Sequence, residues 1–371
     1  MSFLSSLFPA LIVLGLLIII HEFGHFLACR LCGVRVEKFS IGFGPEILNW
    51  QSKNTRYVVS LLPLGGFVKP AGETVSETDP SGPKPGDYLA APILARIFIV
   101  CAGVVMNYIL AFVLFTGIFL MGRPVPGTTV GGFVKGYPAE ASGLAAGDHI
   151  TALNGKEVGT WKDLTDLIEA SPEGPLELAV KRGSEKLTLK VSPKVESGKD
   201  LFGHPMQLKR LGIMPDPQAN KFEKFGLAGS LRAAWETEVF LTGMTHKAIF
   251  YMLLGKLSMK ALSGPIGIVT MTGSAIHLGL PYLLQLTATL SVSLAVINLF
   301  PVPALDGGHL LFLLIEAVRR KRVSLEFQER ATQVGFFLLL TLMVFIIYND
   351  LVNVNAFDRI RQIVSHVAAR H

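Results

Sequence analysis

Four stretches of the chain are long and apolar enough to cross a lipid bilayer, and they limit its fold more than any other feature. A hydrocarbon core of about 30 Å requires roughly 20 apolar residues in a helix. Within a bilayer only helices and closed barrels satisfy all their backbone groups, so the sequence predicts a polytopic α-helical membrane protein. The four predicted spans are Leu4 to Ala28, Ile93 to Met121, Tyr282 to Val318 and Ala331 to Tyr348.

Composition supports a membrane protein. Only 17% of the 371 residues are charged, whereas a soluble domain usually carries about 25%. The formal net charge of +6 could indicate nucleic acid. However, the basic residues form no stripe interleaved with aromatic residues, so we expect no nucleic-acid partner.

The basic residues instead predict the orientation in the membrane. Lys and Arg gather in the loop after the first predicted span and between the third and fourth, as in the run Arg319-Arg320-Lys321-Arg322. By the positive-inside rule these loops face the cytoplasm. Both termini and the region from Gly122 to Pro281 are then expected outside, with the protein in a bacterial cytoplasmic membrane.

The segment between the first two spans predicts a β-hairpin over about residues 36–69. Val36 to Ile41 and Tyr57 to Leu62 are rich in β-forming residues, and Gly42-Phe43-Gly44-Pro45 favours a turn. The segment is apolar for a cytoplasmic loop, so we expect it to re-enter the membrane, where irregular backbone is tolerated against protein or a wet cavity. An ordinary surface hairpin is the alternative.

Residues 126–217 predict a soluble α+β domain inserted between membrane segments. Its apolar runs are short, and Gly, Pro and charged residues are frequent. The stretch from Pro138 to Ile150, followed by Leu153-Asn154-Gly155-Lys156, resembles a PDZ domain, a fold that can bind an extended peptide as an added strand. The predicted strands are Thr129 to Val134, His149 to Leu153, Leu176 to Lys181 and Lys186 to Val191, with a helix from Lys162 to Ala170.

Residues 225–281 predict a segment at the membrane surface. Phe225 to Leu254 mixes aromatic residues with charges, as interfacial helices do. A fifth span is the alternative, but each charge near the bilayer centre would cost about 2.5–3.5 kcal/mol. The chain then divides into a membrane core of residues 1–121, the PDZ-like domain, this interfacial segment and a second core part of residues 282–371.

The first span contains the sequence His21-Glu22-Phe23-Gly24-His25, which matches the pattern H-E-x-x-H. On a helix, histidines four residues apart lie on one face and can bind one zinc ion, with the glutamate as a candidate general base. Ionisable groups in a span are expensive and by default functional. Two buried histidines that bond to carbonyl groups would be the structural alternative.

A third zinc ligand must come from elsewhere, because catalytic zinc usually has three protein ligands and an open position. Asp306 is the candidate, since it follows Pro301 and Pro303 in an interruption of an apolar span. An aspartate that caps a broken helix is the alternative. A metal transporter would also need such residues, but it would explain neither Glu22 nor the PDZ-like domain, and a silent scaffold would leave the ligands unused.

The sequence resembles the site-2 protease family of intramembrane zinc metalloproteases across nearly the whole chain, and most closely its bacterial members that regulate sigma-E, here with a single PDZ domain. The resemblance rests on the H-E-x-x-H motif and on motifs elsewhere in the chain. These are Phe39 to Gly44, Pro63 to Lys69, Asn107, Ser263 to Gly267, and Asn298 through Gly308.

The resemblance implies His21, His25 and Asp306 as zinc ligands and Glu22 as general acid and base acting on a zinc-activated water. It also implies that the hairpin holds the substrate as an extended strand, with Asn298 beside the zinc. The candidate substrate-binding residues are therefore Asn298, Gly42, Gly44, Gly65 and Gly66. The implied substrates are transmembrane proteins such as anti-sigma factors, and remnant signal peptides.

Overall fold

The computed structural model describes residues 3–73, 83–199, 205–258 and 262–353. The chain forms two compact units, one made of the residues up to Gly117 with Leu231–Phe250 and the residues after Leu257, the other of Ile118–Ser230 with Tyr251–Leu257. Every predicted site residue lies in the first unit. Within the predicted segments, residues 74–82, 200–204, 259–261 and 354–371 lie outside the described residues.

Helices account for most of the first unit. Within the described part of the chain, four helices are long and apolar enough to span a membrane: Ser5–Leu31, Ile93–Met121, Leu280–Leu299 and Leu325–Val352. Their number agrees with the four predicted spans. The helices of the described chain are α1 (Phe3–Leu31), α2 (Ile93–Met121), α3 (Trp161–Ala170), α4 (Leu227–Leu253), α5 (Pro265–Leu278), α6 (Leu280–Leu299), α7 (Asp306–Arg319) and α8 (Leu325–Asn353).

The third predicted span was wrong as a single helix. The chain leaves helical geometry after Leu299 and resumes it at Asp306. Pro301 and Pro303 lack an N–H group and fix their own φ, so a helix cannot pass through them without loss. Ala304 has a φ of 125°, an uncommon value for a residue other than glycine. The break therefore separates α6 from α7 and leaves Asp306 at the start of α7.

The segment after α1 forms two long, bent strands, β1 (Val36–Ser52) and β2 (Thr55–Pro70), which pair as a hairpin. The turn was wrongly placed: it lies at Lys53 and Asn54, while Gly42 and Gly44 bend β1 with positive φ values of 88° and 89°. Because of this bend, residues 38–41 of β1 pair with two segments of β2. Residues 56–59 lie on one side of them and residues 66–69 on the other. Residues 66–69 thus form an edge that packs towards α1.

Helix α5 packs against α1, where a Cβ at Gly273 would overlap Ser6. Asp350 of α8 accepts hydrogen bonds from the backbone N–H groups of Gly264 and Gly267, both at 3.0 Å. This carboxylate satisfies donors at the start of α5 that have no partner within the helix. The Ser263 to Gly267 motif therefore joins α5 to α8.

The second unit is an α+β domain, consistent with the predicted inserted domain. Its four-stranded antiparallel sheet has the order β6 (Lys156–Glu157), β5 (His149–Leu153), β7 (Leu176–Arg182) and β8 (Glu185–Val191). Ile150, Leu164 and Leu178 are among the buried core residues of the unit. Helix α3 begins with a capping box made by Thr160 and Asp163. The other strands of the unit are β3 (Arg123–Pro126), β4 (Val130–Phe133), β9 (Lys194–Lys199), β10 (Pro205–Arg210), β11 (Ile213–Pro215) and β12 (Asn220–Glu223).

Candidate active site

Helix α1 places His21 and His25 one turn apart on the same face, as their spacing predicts. Their Nε2 atoms lie 3.2 Å from each other, and the rings meet edge to face with centroids 4.8 Å apart. His21 is buried. Both imidazoles therefore direct the same nitrogen to one point inside the unit.

Asp306 reaches that point from the start of α7. Its Oδ2 atom lies 3.0 Å from Nε2 of His21 and 3.5 Å from Nε2 of His25. Donor atoms about 2.0–2.2 Å from a tetrahedral zinc ion lie roughly 3.4 Å apart, so the three separations match the edges of one zinc coordination tetrahedron. His21 and Asp306 are 285 residues apart in the sequence. The contacts of α6 with α1 and of α7 with α6 bring them together.

The donor set itself also fits a cation. Oδ2 of Asp306 is buried and has no hydrogen-bond partner among the described residues. A buried carboxylate without such a partner is costly unless a cation or donor compensates its charge. Two imidazole nitrogens and a carboxylate oxygen are ligands that zinc prefers. The residues present therefore fit the metal that the sequence predicts.

A backbone carbonyl on α2 orients His25. The carbonyl oxygen of Ile99 lies 2.8 Å from Nδ1 of His25, and a carbonyl oxygen can only accept. The proton of a neutral imidazole is then on Nδ1, which leaves the lone pair of Nε2 free for a metal.

Gly103, one turn further along α2, makes room for both imidazoles. A Cβ atom at this position would overlap Nε2 and Cε1 of His25 and Cε1 of His21. The ligand pair therefore lies directly against the backbone of α2. Because the required feature is the lack of a side chain, the sequence pattern gave no reason to select this residue.

Glu22 faces the β1–β2 hairpin. Its Oε2 atom accepts a hydrogen bond of 3.2 Å from the backbone N–H of Val68, in the edge segment of β2. The carboxylate is next to the donor set because it belongs to the same turn of α1. The hairpin thus fixes the orientation of the predicted base.

Asn298, at the end of α6, also lies at the donor set. Its Nδ2 atom is 3.5 Å from Nε2 of His21. The predicted glycines have structural roles in the hairpin: a Cβ at Gly42 would crowd the carbonyl oxygen of Leu62, and Gly65 has a φ of 129°.

The other two predicted glycines differ in surroundings. A Cβ at Gly66 would crowd the carbonyl oxygen of Ser40, whereas one at Gly44 would meet only ordinary contacts from Leu62. Gly66 is also 3.8 Å, measured from such a Cβ, from Cγ of Glu22. The edge segment of β2 therefore passes closely beside the predicted base.

A cavity of about 780 Å³ opens beside Glu22 and His25 and reaches the loop after α7. Its wall contains an ion pair that sequence reasoning missed, in which Arg96 donates to Glu316 at 2.5 and 3.1 Å. Arg322 also lies on this wall and donates to the carbonyl oxygen of Leu89. The available signal was the presence of charged Arg96 and Glu316 inside two predicted spans, where a charge requires a partner.

Comparison with known proteins agrees with this geometry. The sequence profile of peptidase family M50 matches residues 9–342. A protein of Agrobacterium fabrum named as a candidate zinc metalloprotease is 35% identical, covering 92% of this chain and 94% of its own. The Metalloprotease MmpA of Caulobacter vibrioides is 32% identical, covering 94% of this chain and 96% of its own.

Among solved structures, the PDZ domain of an SdrC-like protein from Listeria monocytogenes aligns with 24% of this chain and 87% of its own, at 23% identity and a TM-score of 0.19. That score is too low to assign the fold of the second unit. The family match covers most of the chain and includes all three converging donors. The chain therefore belongs to peptidase family M50, the site-2 protease family of zinc metalloproteases.

Proposed function

We propose that this zinc metalloprotease hydrolyses peptide bonds within the transmembrane segments of other membrane proteins. The observation that carries the proposal is that Glu22 and two of three converging donors belong to a helix apolar enough to span a membrane. Ionisable groups at such a position are expensive and point to function. A site at that depth is suited to a substrate that also lies in the bilayer.

His21, His25 and Asp306 are the proposed zinc ligands. Their donor atoms all lie within 4.8 Å of one another, and Ile99 holds His25 in the tautomer that ligation needs. Zinc bound there supplies a Lewis acid and a water of lowered pKa. Three protein ligands would leave one position of the zinc ion open for that water.

Glu22 is the proposed general base. A carboxylate takes the proton from the attacking water and returns it to the leaving amine. The N–H group of Val68 holds one oxygen of this carboxylate. Because Oε2 is engaged, Oε1 is the oxygen that accepts and delivers the proton.

The hairpin is the proposed holder of the substrate. A transmembrane helix hides its carbonyl groups in internal hydrogen bonds, so it must unwind before hydrolysis. The edge segment of β2, residues 66–69, could pair with the unwound segment and replace the lost bonds. Asn298 and the glycines at 42, 44, 65 and 66 would then contact or shape the path of the substrate, and the hairpin would re-enter the membrane.

The proposed orientation follows the distribution of basic residues. The loops rich in Lys and Arg face the cytoplasm of a bacterium, and the second unit, a PDZ-like domain over residues 126–217, lies outside the cytoplasmic membrane and binds an extended peptide or substrate segment. The proposed substrates are anti-sigma-factor-like membrane proteins and remnant signal peptides. Cleavage of such regulators would be regulated intramembrane proteolysis.

The test uses purified full-length protein in liposomes with a single-span substrate, and mass spectrometry of the products. We expect cleavage inside the span by the native protein and none by Glu22→Gln, which keeps the size of the side chain but cannot accept the proton. Glu326→Gln, an exposed change on α8, is the matched control and should retain activity. Cleavage only outside the span would refute an intramembrane site, and an active Glu22→Gln would refute the assigned base.

A further inference from the structure

Asn107 on α2 lies against the outer nitrogen of His21. Its Nδ2 atom is 3.3 Å from Nδ1 of His21, and the residue is completely buried. A buried polar side chain in an apolar helix requires a partner. Here the partner is the proposed zinc ligand.

The two ligand histidines need the same tautomer. His25 has it, because the carbonyl oxygen of Ile99 can only accept the proton on Nδ1. For His21 to bind zinc through Nε2, its Nδ1 must likewise carry the proton and must face an acceptor. The only side chain recorded at Nδ1 among the described residues is that of Asn107.

An amide offers both a donor and an acceptor, and the two ends exchange when the group rotates by half a turn. With Nδ2 towards His21, the ring nitrogen Nδ1 would accept and the proton would be on Nε2, where it blocks the metal. With the amide turned, Oδ1 accepts the Nδ1 proton of His21, and Nε2 is free.

Asn107 is held in place for this role. Ser291 of α6 donates a hydrogen bond of 2.8 Å to its backbone carbonyl oxygen. Gly103, one turn before it, accommodates both imidazoles. The position of Asn107 is thus fixed by the same two helices that surround the donor set.

We propose that Asn107 is a positioning residue that accepts the Nδ1 proton of His21 through Oδ1 and thereby presents Nε2 of His21 to zinc. The inference rests on the proposed ligand set. It assigns a function to the second-span motif that the protease mechanism left unexplained.

Two substitutions separate acceptance from donation. Asn107→Asp can accept but cannot donate when ionised, and Asn107→Leu, of similar size, can do neither. Zinc affinity is measured on the full-length protein in detergent by competition with a chromophoric chelator. We expect Asn107→Leu to weaken zinc binding about 10–100-fold, the usual effect of removing an outer partner of a ligand, and Asn107→Asp to stay close to the native affinity.

The visible spectrum of the cobalt-loaded protein gives a second readout. It should change in Asn107→Leu and stay close to native in Asn107→Asp. Thr116→Val removes a buried hydroxyl group elsewhere on α2 and should change neither measurement. Asn107→Ala repeats the removal without adding atoms, in case the leucine lowers the unfolding temperature of the metal-free protein.

Three results would overturn the proposal. Native zinc affinity in both Asn107→Leu and Asn107→Ala would show that the contact does not matter. Loss of affinity in Asn107→Asp equal to that in Asn107→Leu would show that Asn107 donates. If instead His21→Ala binds zinc normally, the ligand set itself is wrong, and that failure is distinct from the other two.

Discussion

Nε2 of His21 and Oδ2 of Asp306 lie 3.0 Å apart although the two residues belong to helices at opposite ends of the sequence. Such a separation is short enough for both atoms to bind one metal ion. It makes the position of α7 relative to α1 a condition for zinc binding. Predictions on the site therefore follow both from the ligands and from the groups that hold these helices.

We predict that Asp306→Ala and His25→Ala each lower zinc occupancy of the purified protein, because each change removes one of three protein ligands. Elemental analysis of zinc per chain measures the effect. His277→Ala removes a histidine of α5 that is not part of the converging set, and it should keep native occupancy. Full occupancy in Asp306→Ala would mean that the third ligand lies elsewhere.

We predict that Gly103→Ala weakens zinc binding at least tenfold. Its new Cβ would overlap both imidazole rings and must displace them. A closely packed interior has no free space to take up such a displacement, so the ligand geometry must change. Gly117→Ala on the same helix meets nothing within 4 Å and should leave zinc affinity unchanged. Chelator competition compares the two variants, and equal affinities would argue against a close packing of α2 on the ligands.

We predict that Glu316→Gln destabilises the protein by about 3–5 kcal/mol, because it leaves the buried charge of Arg96 without compensation. The side chains of Arg96 and Glu316 are only 6% and 14% exposed. The double variant Arg96→Met with Glu316→Leu should lose less free energy of unfolding than the sum of the losses in the single variants Arg96→Met and Glu316→Leu. Unfolding of the detergent-solubilised protein measures the free energies, and strict additivity would show that the pair is not coupled.

We predict that the ionised carboxylate of Asp148 stabilises the second unit and that this stabilisation is lost in acid. Hydrogen bonds from Arg182 at 2.8 and 2.9 Å hold the pKa of this carboxyl below its ordinary value of 3.8. Because the folded-state pKa is depressed, the stabilisation is complete well above pH 4 and is lost as the pH falls through the folded-state value. Asp148→Asn should lower the free energy of unfolding by about 1–3 kcal/mol at pH 7.

The difference between native protein and Asp148→Asn should shrink below pH 4. Limited proteolysis of the full-length chain, with cuts mapped to residues 118–230, follows the opening of this unit. Asp166→Asn removes an exposed partner of Lys162 and should change little at any pH. A pH-independent difference between native protein and Asp148→Asn would contradict the assignment to ionisation.

We predict that a cysteine replacing Lys321 is shielded from an impermeant thiol reagent in intact cells, whereas one replacing Lys156 is labelled. Both lysines are exposed, so labelling reports the side of the membrane. The background protein has Cys29, Cys32 and Cys101 changed to serine. The opposite labelling pattern would reverse the proposed orientation.

The sequence by itself determined the parts whose signal is local. Long apolar runs predict spans because backbone groups in lipid must bond within a helix. Histidines four residues apart predict a shared face of α1, and the strand His149 to Leu153 was confirmed residue for residue. Asp306 could be identified from the sequence as the third candidate ligand, because a carboxylate that follows two prolines is unusual in an apolar stretch.

Only the tertiary structure decided which distant groups meet. The carbonyl of Ile99 and the N–H of Val68 orient His25 and Glu22, and backbone groups carry no sequence signal because every residue except proline has both. The turn at Lys53 could not be placed because pairing across the sheet overrode the local turn preference of Gly42. Gly103 matters for the side chain it lacks, which has physical meaning only once α2 packs against α1.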